Sequence, residues 1–276
     1  MSTRALVLGG GGVAGIAWEI GVLTGLAEQG VDVTGADLVV GTSAGSTTAG
    51  QLASGLPLGE LFERQADPAR QYPELTPTHL TIAELMEIWG ALLAEVSDPL
   101  ELRRRAGAMS LEAETVTEAE RRAVIEGRLP VHEWPERAIT LVAVDAHSGE
   151  VRLFDRHSGV PLVDAVAASC AVPAIWPAVT VGDRRYIDGG VRSSNNADLA
   201  AGHDRVLVIA PMTDPALAEE IALLAEESRV ELISPDEEAT AAFGADPLSP
   251  ATRTPSAHAG LAQGRRLAGI VRDLWM

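Results

Sequence analysis

Two glycine-rich turns near the N-terminus hold the residues best suited to chemistry. Leu6 to Leu8 read as a short apolar strand, and Gly9-Gly-Gly-Gly12 follows it directly. Such a turn leaves backbone N–H groups free to face a negatively charged oxygen. Further along, Gly41-Thr-Ser-Ala-Gly45 follows a second short strand. A Gly-x-Ser-x-Gly turn holds its serine hydroxyl exposed at the start of a helix, where the helix dipole favours a developing alkoxide. A donor loop on one strand and the nucleophile Ser43 on another point to acyl transfer.

A nucleophilic serine needs a base. The histidines are His79, His132, His147, His157, His203 and His258, and none has a convincing setting. His147 and His157 sit in Ser-Gly turns, and His258 lies in a segment rich in Pro and Ser. Asp188 is the better candidate, because it follows a short strand and precedes Gly189 and Gly190, so its carboxylate can reach past a turn without side chains. Gly10, Gly12 and Gly15 also satisfy a Gly-x-Gly-x-x-Gly pattern, but a dinucleotide site wants an acidic residue at the end of the second strand. Here that strand starts at Asp37 and ends in Gly41-Thr-Ser43. Asp145-x-His147 and Asp155-x-His157 match no tight metal site and fit turns instead, so no metal is expected. Cys170 has no nearby base and reads as a small buried residue, and Arg103 to Arg105 read as a solvated helix face.

The elements around these residues follow from composition and period. The chain has 276 residues, enough for a substantial core, with 46% hydrophobic residues and a formal net charge of -18. That charge argues against nucleic acid as a partner, and no basic patch is visible near the serine in the sequence. All 21 basic residues are arginine. A single cysteine fits a reducing compartment. The glycines of residues 5–18 and the Gly, Ser and Thr of residues 38–59 argue against a signal peptide and a membrane span, so a cytoplasmic protein is expected.

Residues 1–59 hold five charged side chains and residues 60–137 hold 25. The first part therefore reads as a buried base, with helices at Gly15–Gln29 and Ala44–Ser54. The second reads as charged amphipathic helices near Glu60–Ala66, Ile82–Val96, Pro99–Ala106 and Glu118–Glu126. Strands return at Ile139–Val144 and Val151–Phe154 as a hairpin, then at Arg184–Ile187. A helix is expected at Leu162–Ser169. Val206–Ala210 and Val230–Ile233 bracket another at Ala216–Glu227, a rhythm that implies parallel pairing. Pro and Ser cluster at residues 247–256, before a last helix at about 258–274.

Taken in order, Gly10-Gly-Gly-Val-Ala-Gly15, Gly41-Thr-Ser-Ala-Gly45, Ala168-Ser-Cys-Ala-Val-Pro173 and Asp188-Gly-Gly190 resemble the patatin-like phospholipases. Asn195 to Ala201 with Val206-Leu-Val-Ile209 extend the resemblance to about residue 212. It implies one patatin-like catalytic domain over residues 1–276: a three-layer α/β/α fold with a mainly parallel central sheet. A charged helical insertion or cap would span about 58–135. The implied activity is a serine lipid acyl hydrolase, a phospholipase or esterase, with a Ser43–Asp188 dyad and no cofactor. Gly10, Gly11 and Gly12 would form the oxyanion hole, supported by Gly15, Gly41, Gly45, Gly189 and Gly190. The implied partners are a lipid or other acyl ester and, transiently, a membrane or micelle interface. Two positions depart from the pattern: Ala14 stands where many relatives carry a basic residue, and Ala197 where a proline often follows the asparagine. The rival expectations are a catalytically silent lipid-binding member of the same fold and a nucleotide-binding protein using the Gly10–Gly15 loop.

Overall fold

The computed structural model describes residues 2–77 and 79–276. The chain starts with β1 (Arg4–Leu8), α1 (Gly12–Glu28), β2 (Leu38–Thr42) and α2 (Ala44–Ala53). Four helices follow: α3 (Leu58–Ala66), α4 (Ile82–Glu95), α5 (Pro99–Glu112) and α6 (Glu118–Arg128). Next come β3 (Ala138–Asp145), β4 (Val151–Phe154), α7 (Leu162–Ser169), β5 (Val179–Val181) and β6 (Arg184–Asp188). The chain closes with β7 (Arg205–Ile209), α8 (Pro215–Leu224), β8 (Arg229–Ile233), α9 (Glu237–Phe243) and α10 (Arg253–Trp275).

One mixed sheet joins all the strands along the path β5-β6-β3-β2-β1-β7-β8, with β4 on β3. From β3 to β8 the pairing is parallel, and the β3–β4, β3–β6 and β5–β6 pairs are antiparallel. Successive residues of a strand point to opposite faces, so β1 feeds two cores. Leu6 and Leu8 join a large apolar cluster with Trp18, Leu26, Val166 and Val271 under α1, α7 and α10. Ala5 and Val7 join a smaller one with Val206, Val208, Leu217 and Leu224 under α8. A parallel sheet must be covered on both faces, and these two clusters make the three layers of the α/β/α fold.

The α1 and α10 helices cross at close quarters through Gly21, Gly25, Gly260 and Gly264. A Cβ on Gly260 would lie 2.3 Å from the Trp18 carbonyl oxygen, and one on Gly264 would lie 2.3 Å from that of Val22. Both obstacles are backbone, which cannot swing aside. Gly260→Leu is therefore expected to destabilise the protein by about 3 kcal/mol. Urea unfolding would show this as a lower midpoint at unchanged slope, and an unchanged midpoint would contradict the tight crossing.

Several expectations need correction. The last helix begins at Arg253, not near His258, and a 3-10 turn over Pro250–Thr252, capped by the Ser249 hydroxyl, leads into it. Pro255 lies in the first turn, where its missing N–H costs nothing. His258 is thus a helical residue, its ring edge-on to Phe62 at 5.5 Å. The elements β5 and α9 are too short to show a period. Arg103 and Arg104 are not simply solvated: their Nε atoms donate to the Gly149 and Ser148 carbonyls at 2.7 and 3.0 Å, tying α5 to the β3–β4 turn. Asp145 and Asp155 do form turns, each accepting the N–H of the histidine two residues on. Among the described residues no helix is long and apolar enough to cross a membrane.

Candidate active site

The β3 strand is the ruler that brings Ser43 to Asp188. Its partner β2 runs parallel to it as far as Thr42, opposite Val142. Its partner β6 runs antiparallel and ends at Asp188, opposite Ala143. Because β4 occupies the other edge of β3 over Leu141–Val144, β2 and β6 share one edge and run toward each other. They end at consecutive β3 residues, which delivers Ser43 and Asp188 to one point. Gly189 is needed there, since a Cβ would lie 2.4 Å from the Val142 carbonyl oxygen.

Ser43 sits in a sharp strand-to-helix elbow with φ 53° and ψ -111°, a left-handed conformation that costs energy for any L side chain. Neighbouring backbone holds it. The Gly45 N–H donates to the Gly9 carbonyl at 2.8 Å, and a Cβ on Gly45 would lie 2.0 Å from the Leu8 carbonyl oxygen. Residues from the Ala168–Pro173 motif clamp the elbow from the other side. Ser169 Oγ accepts the Ser43 N–H at 3.0 Å, and Cys170 Sγ donates to the Ser43 carbonyl at 3.1 Å. The Ala171 carbonyl accepts the Asp188 N–H at 2.9 Å, so one segment touches both Ser43 and Asp188. That clamp is a role the sequence leaves unread, although the motif containing it stands out.

Asp188 is almost wholly buried. Burial pushes its carboxyl up to about 7, against the opposing pull of the Ser43 hydroxyl beside it, the Gly190 N–H and the more distant Arg121. Its Oδ1 accepts the Gly190 N–H at 2.7 Å, while Oδ2 is buried without a hydrogen bond of full geometry. A buried carboxylate near neutrality, with one unengaged oxygen beside a serine hydroxyl, has the electrostatics of a general base. No histidine lines the cavity at Ser43.

The glycine loop divides into engaged and unengaged amides. Gly10 differs from expectation, because its N–H donates to the Ser194 carbonyl at 2.7 Å. The Gly11 and Gly12 amides have no acceptor among the described residues, being the N-cap and first residue of α1. Gly12 takes φ +64°, which turns the chain into the helix. Asn196, itself left-handed at φ 51°, props the site from behind: its Nδ2 donates to Thr42 Oγ1 at 3.0 Å and to the Ser193 carbonyl at 2.8 Å.

The sequence shows no basic patch near the serine, and here the structure corrects it. Arg121, Arg128 and Arg253, from α6 and α10, converge on Glu74 at 2.8, 2.5 and 3.3 Å. Burial alone would raise the Glu74 carboxyl; Arg128, Arg121 and Arg253 outweigh it and hold the group below its usual range. Burial and the like charge of Arg128 push Arg121 down to about 10, still cationic at neutral pH. The Arg121 guanidinium stacks on the Trp176 ring at 3.9 Å, and Arg121 and Arg128 both line the Ser43 cavity. Arg121 and Arg128 share one helix, but Glu74 and Arg253 lie far from them in sequence, so no local pattern announces the cluster.

The chain matches the family model described as patatin-like phospholipase over residues 6–201. Among solved structures, VipD from Legionella pneumophila superposes with a TM-score of 0.53 at 15% identity, covering 98% of this chain and 67% of that one. ExoU from the type III secretion system of Pseudomonas aeruginosa, in complex with SpcU, gives a TM-score of 0.43 at 15% identity, with 100% of this chain and 53% of ExoU covered. The chain thus spans about half to two thirds of these neighbours. No curated protein sequence matches it. The family match covers the glycine loop, the serine elbow and Asp188 together, and this chain belongs to the patatin-like phospholipases.

Proposed function

We propose that the chain is a serine lipid acyl hydrolase in which Ser43 is the nucleophile and Asp188 the base. The observation that carries this reading is the head-on meeting of β2 and β6 along β3, which sets the Ser43 hydroxyl against the buried Asp188 carboxylate. Ser43 Oγ attacks the ester carbonyl carbon as its proton passes to Asp188. The Gly11 and Gly12 amides then receive the oxyanion, each such donor lowering the barrier by about 3 kcal/mol. Collapse of the intermediate expels the alcohol, which takes the proton from Asp188. Water, losing its proton to Asp188, attacks the acyl-serine; collapse frees the fatty acid and Ser43 Oγ takes the proton back from Asp188.

The cavity at Ser43 has room for about one water molecule, at about 20 Å³. An acyl chain therefore enters by displacing its apolar wall. Trp176 and Leu248 of that wall belong to a cluster with Leu85 and Ile175, on which Leu80 and Ile82 pack. On this reading α4, which buries only Leu85 and exposes Met86 and Leu93, moves with the acyl chain as a cap.

Hydrolysis of a p-nitrophenyl ester series, with Ser43→Ala as control, tests the reading. Activity is expected to rise with acyl length and to vanish in the variant. Activity that persists in Ser43→Ala would overturn it. Failure of a fluorophosphonate to label Ser43 in the wild-type chain would point instead to a silent lipid-binding protein.

A further inference from the structure

A second cleft, its enclosed part again about 20 Å³, adjoins the Ser43 cavity and shares Ile16 and Arg128 with it. Anything larger than a water engages it from the mouth, where Arg70 is exposed and Arg64 half-buried. Its charged lining consists of Arg64, Arg70, Arg128 and Arg253, with no acidic side chain. The arginines come from α3, from the loop after it, and from α6 and α10. In a chain of net charge -18, four arginines facing one cleft are a local reversal of sign.

The charges do not cancel beneath the cleft. Among the described residues Glu74 is the one carboxylate paired with the buried Arg121, Arg128 and Arg253. Arg64 and Arg70 form no ion pair among the described residues. Arg121 is almost wholly buried on the Ser43 side, and its Nε has no hydrogen-bond partner. Burial, and then the like charge of Arg128, depress both Arg121 and Arg253, so the cluster carries repulsion that a bound anion would relieve. Guanidinium forks match phosphate oxygens in geometry as well as charge.

We infer that the cleft of Arg64, Arg70, Arg128 and Arg253 binds phosphate, carried by the substrate as a headgroup phosphodiester when the ester lies at Ser43. The headgroup assignment rests on the hydrolase reading above; the phosphate site itself does not.

The test has two arms. In the first, inorganic phosphate is titrated calorimetrically into the Ser43→Ala protein at constant ionic strength. Saturable binding is expected, weakened about tenfold or more when Arg64→Gln and Arg70→Gln are added. Arg70 is exposed and Arg64 half-buried, so the fold should survive, and Arg70→Gln alone serves if the double change does not fold. In the second arm, kcat/KM is compared for dihexanoyl phosphatidylglycerol and dihexanoylglycerol, which differ in the phosphoglycerol headgroup and so in its one negative charge. The ratio of phosphorylated to neutral substrate is expected to fall about tenfold or more in Arg64→Gln/Arg70→Gln, cancelling any common effect on the dyad. Loss of phosphate binding with an unmoved ratio would support the site with free phosphate as its ligand and overturn the headgroup assignment. Absence of saturable phosphate binding, or binding that survives the double substitution, overturns the site. If neither ester turns over while arginine-dependent phosphate binding persists, the hydrolase reading fails and the phosphate site stands.

Discussion

Ser43→Ala and Asp188→Asn are each expected to lower kcat by about 10⁴-fold or more, and the double variant to be little worse than either single one. A nucleophile and base that act as a unit lose their function together, so their effects do not add. In the wild-type chain kcat/KM should rise with pH through a limb near 7, because Asp188 accepts a proton only when ionised and burial holds its carboxyl at about 7. Stability is expected to move the other way. The Asp188 pKa is raised on folding, from 3.8 to about 7. Between these values the folded chain holds a proton that the unfolded chain releases. The group's contribution to stability is therefore full below about 4 and lost as pH rises through 7, by roughly 4 kcal/mol. Asparagine stays neutral throughout, so Asp188→Asn should be the more stable protein at pH 8 while inactive. Urea unfolding of both proteins at pH 5 and pH 8 checks this, and a variant less stable than wild type at pH 8 would contradict a costly buried carboxylate.

The second large effect lies at Glu74. Glu74→Ala is expected to destabilise the protein by about 3–5 kcal/mol, since it leaves Arg121, Arg128 and Arg253 buried without their shared carboxylate. The sign with pH is opposite to that of Asp188. The Glu74 carboxyl is held below its usual range, so its stabilising effect is present above the unfolded pKa of 4.5 and fades as pH falls through the folded value. Thermal melts at pH 7 should show the full loss in Glu74→Ala, and the gap from wild type should narrow in acid. A melting temperature within one or two degrees of wild type would mean that the three arginines find their compensation in solvent.

How much of this site can be read from the sequence depends on distance along the chain. Gly41-Thr-Ser-Ala-Gly45 announces a strand-to-helix elbow because a turn is a local event, decided by the side chains that its own backbone geometry excludes. The same holds for Gly9 to Gly12 at the start of α1. Asp188 stands out by the two glycines after it, yet nothing in its neighbourhood says what it faces. That is decided by the register of β3, where Val142 and Ala143 receive the ends of β2 and β6. The Gly10 amide looks as free as its neighbours until Ser194, far along the chain, folds back to accept it. Short elements such as β5 and α9 escape notice because three and seven residues show no period.

By itself, then, the sequence determined the pieces whose physics is local: glycine turns, apolar strands, an α/β rhythm, and a serine with a carboxylate but no convincing histidine. Tertiary structure alone decided which carboxylate touches which hydroxyl, and that burial would bring Asp188 near neutrality. It also gathered Arg121 and Arg128 at the serine cavity, and Arg64 and Arg253 in the cleft next to it, within an acidic chain. Composition sums charge over the whole molecule, whereas Coulomb energy depends on separation and burial, which exist only after folding.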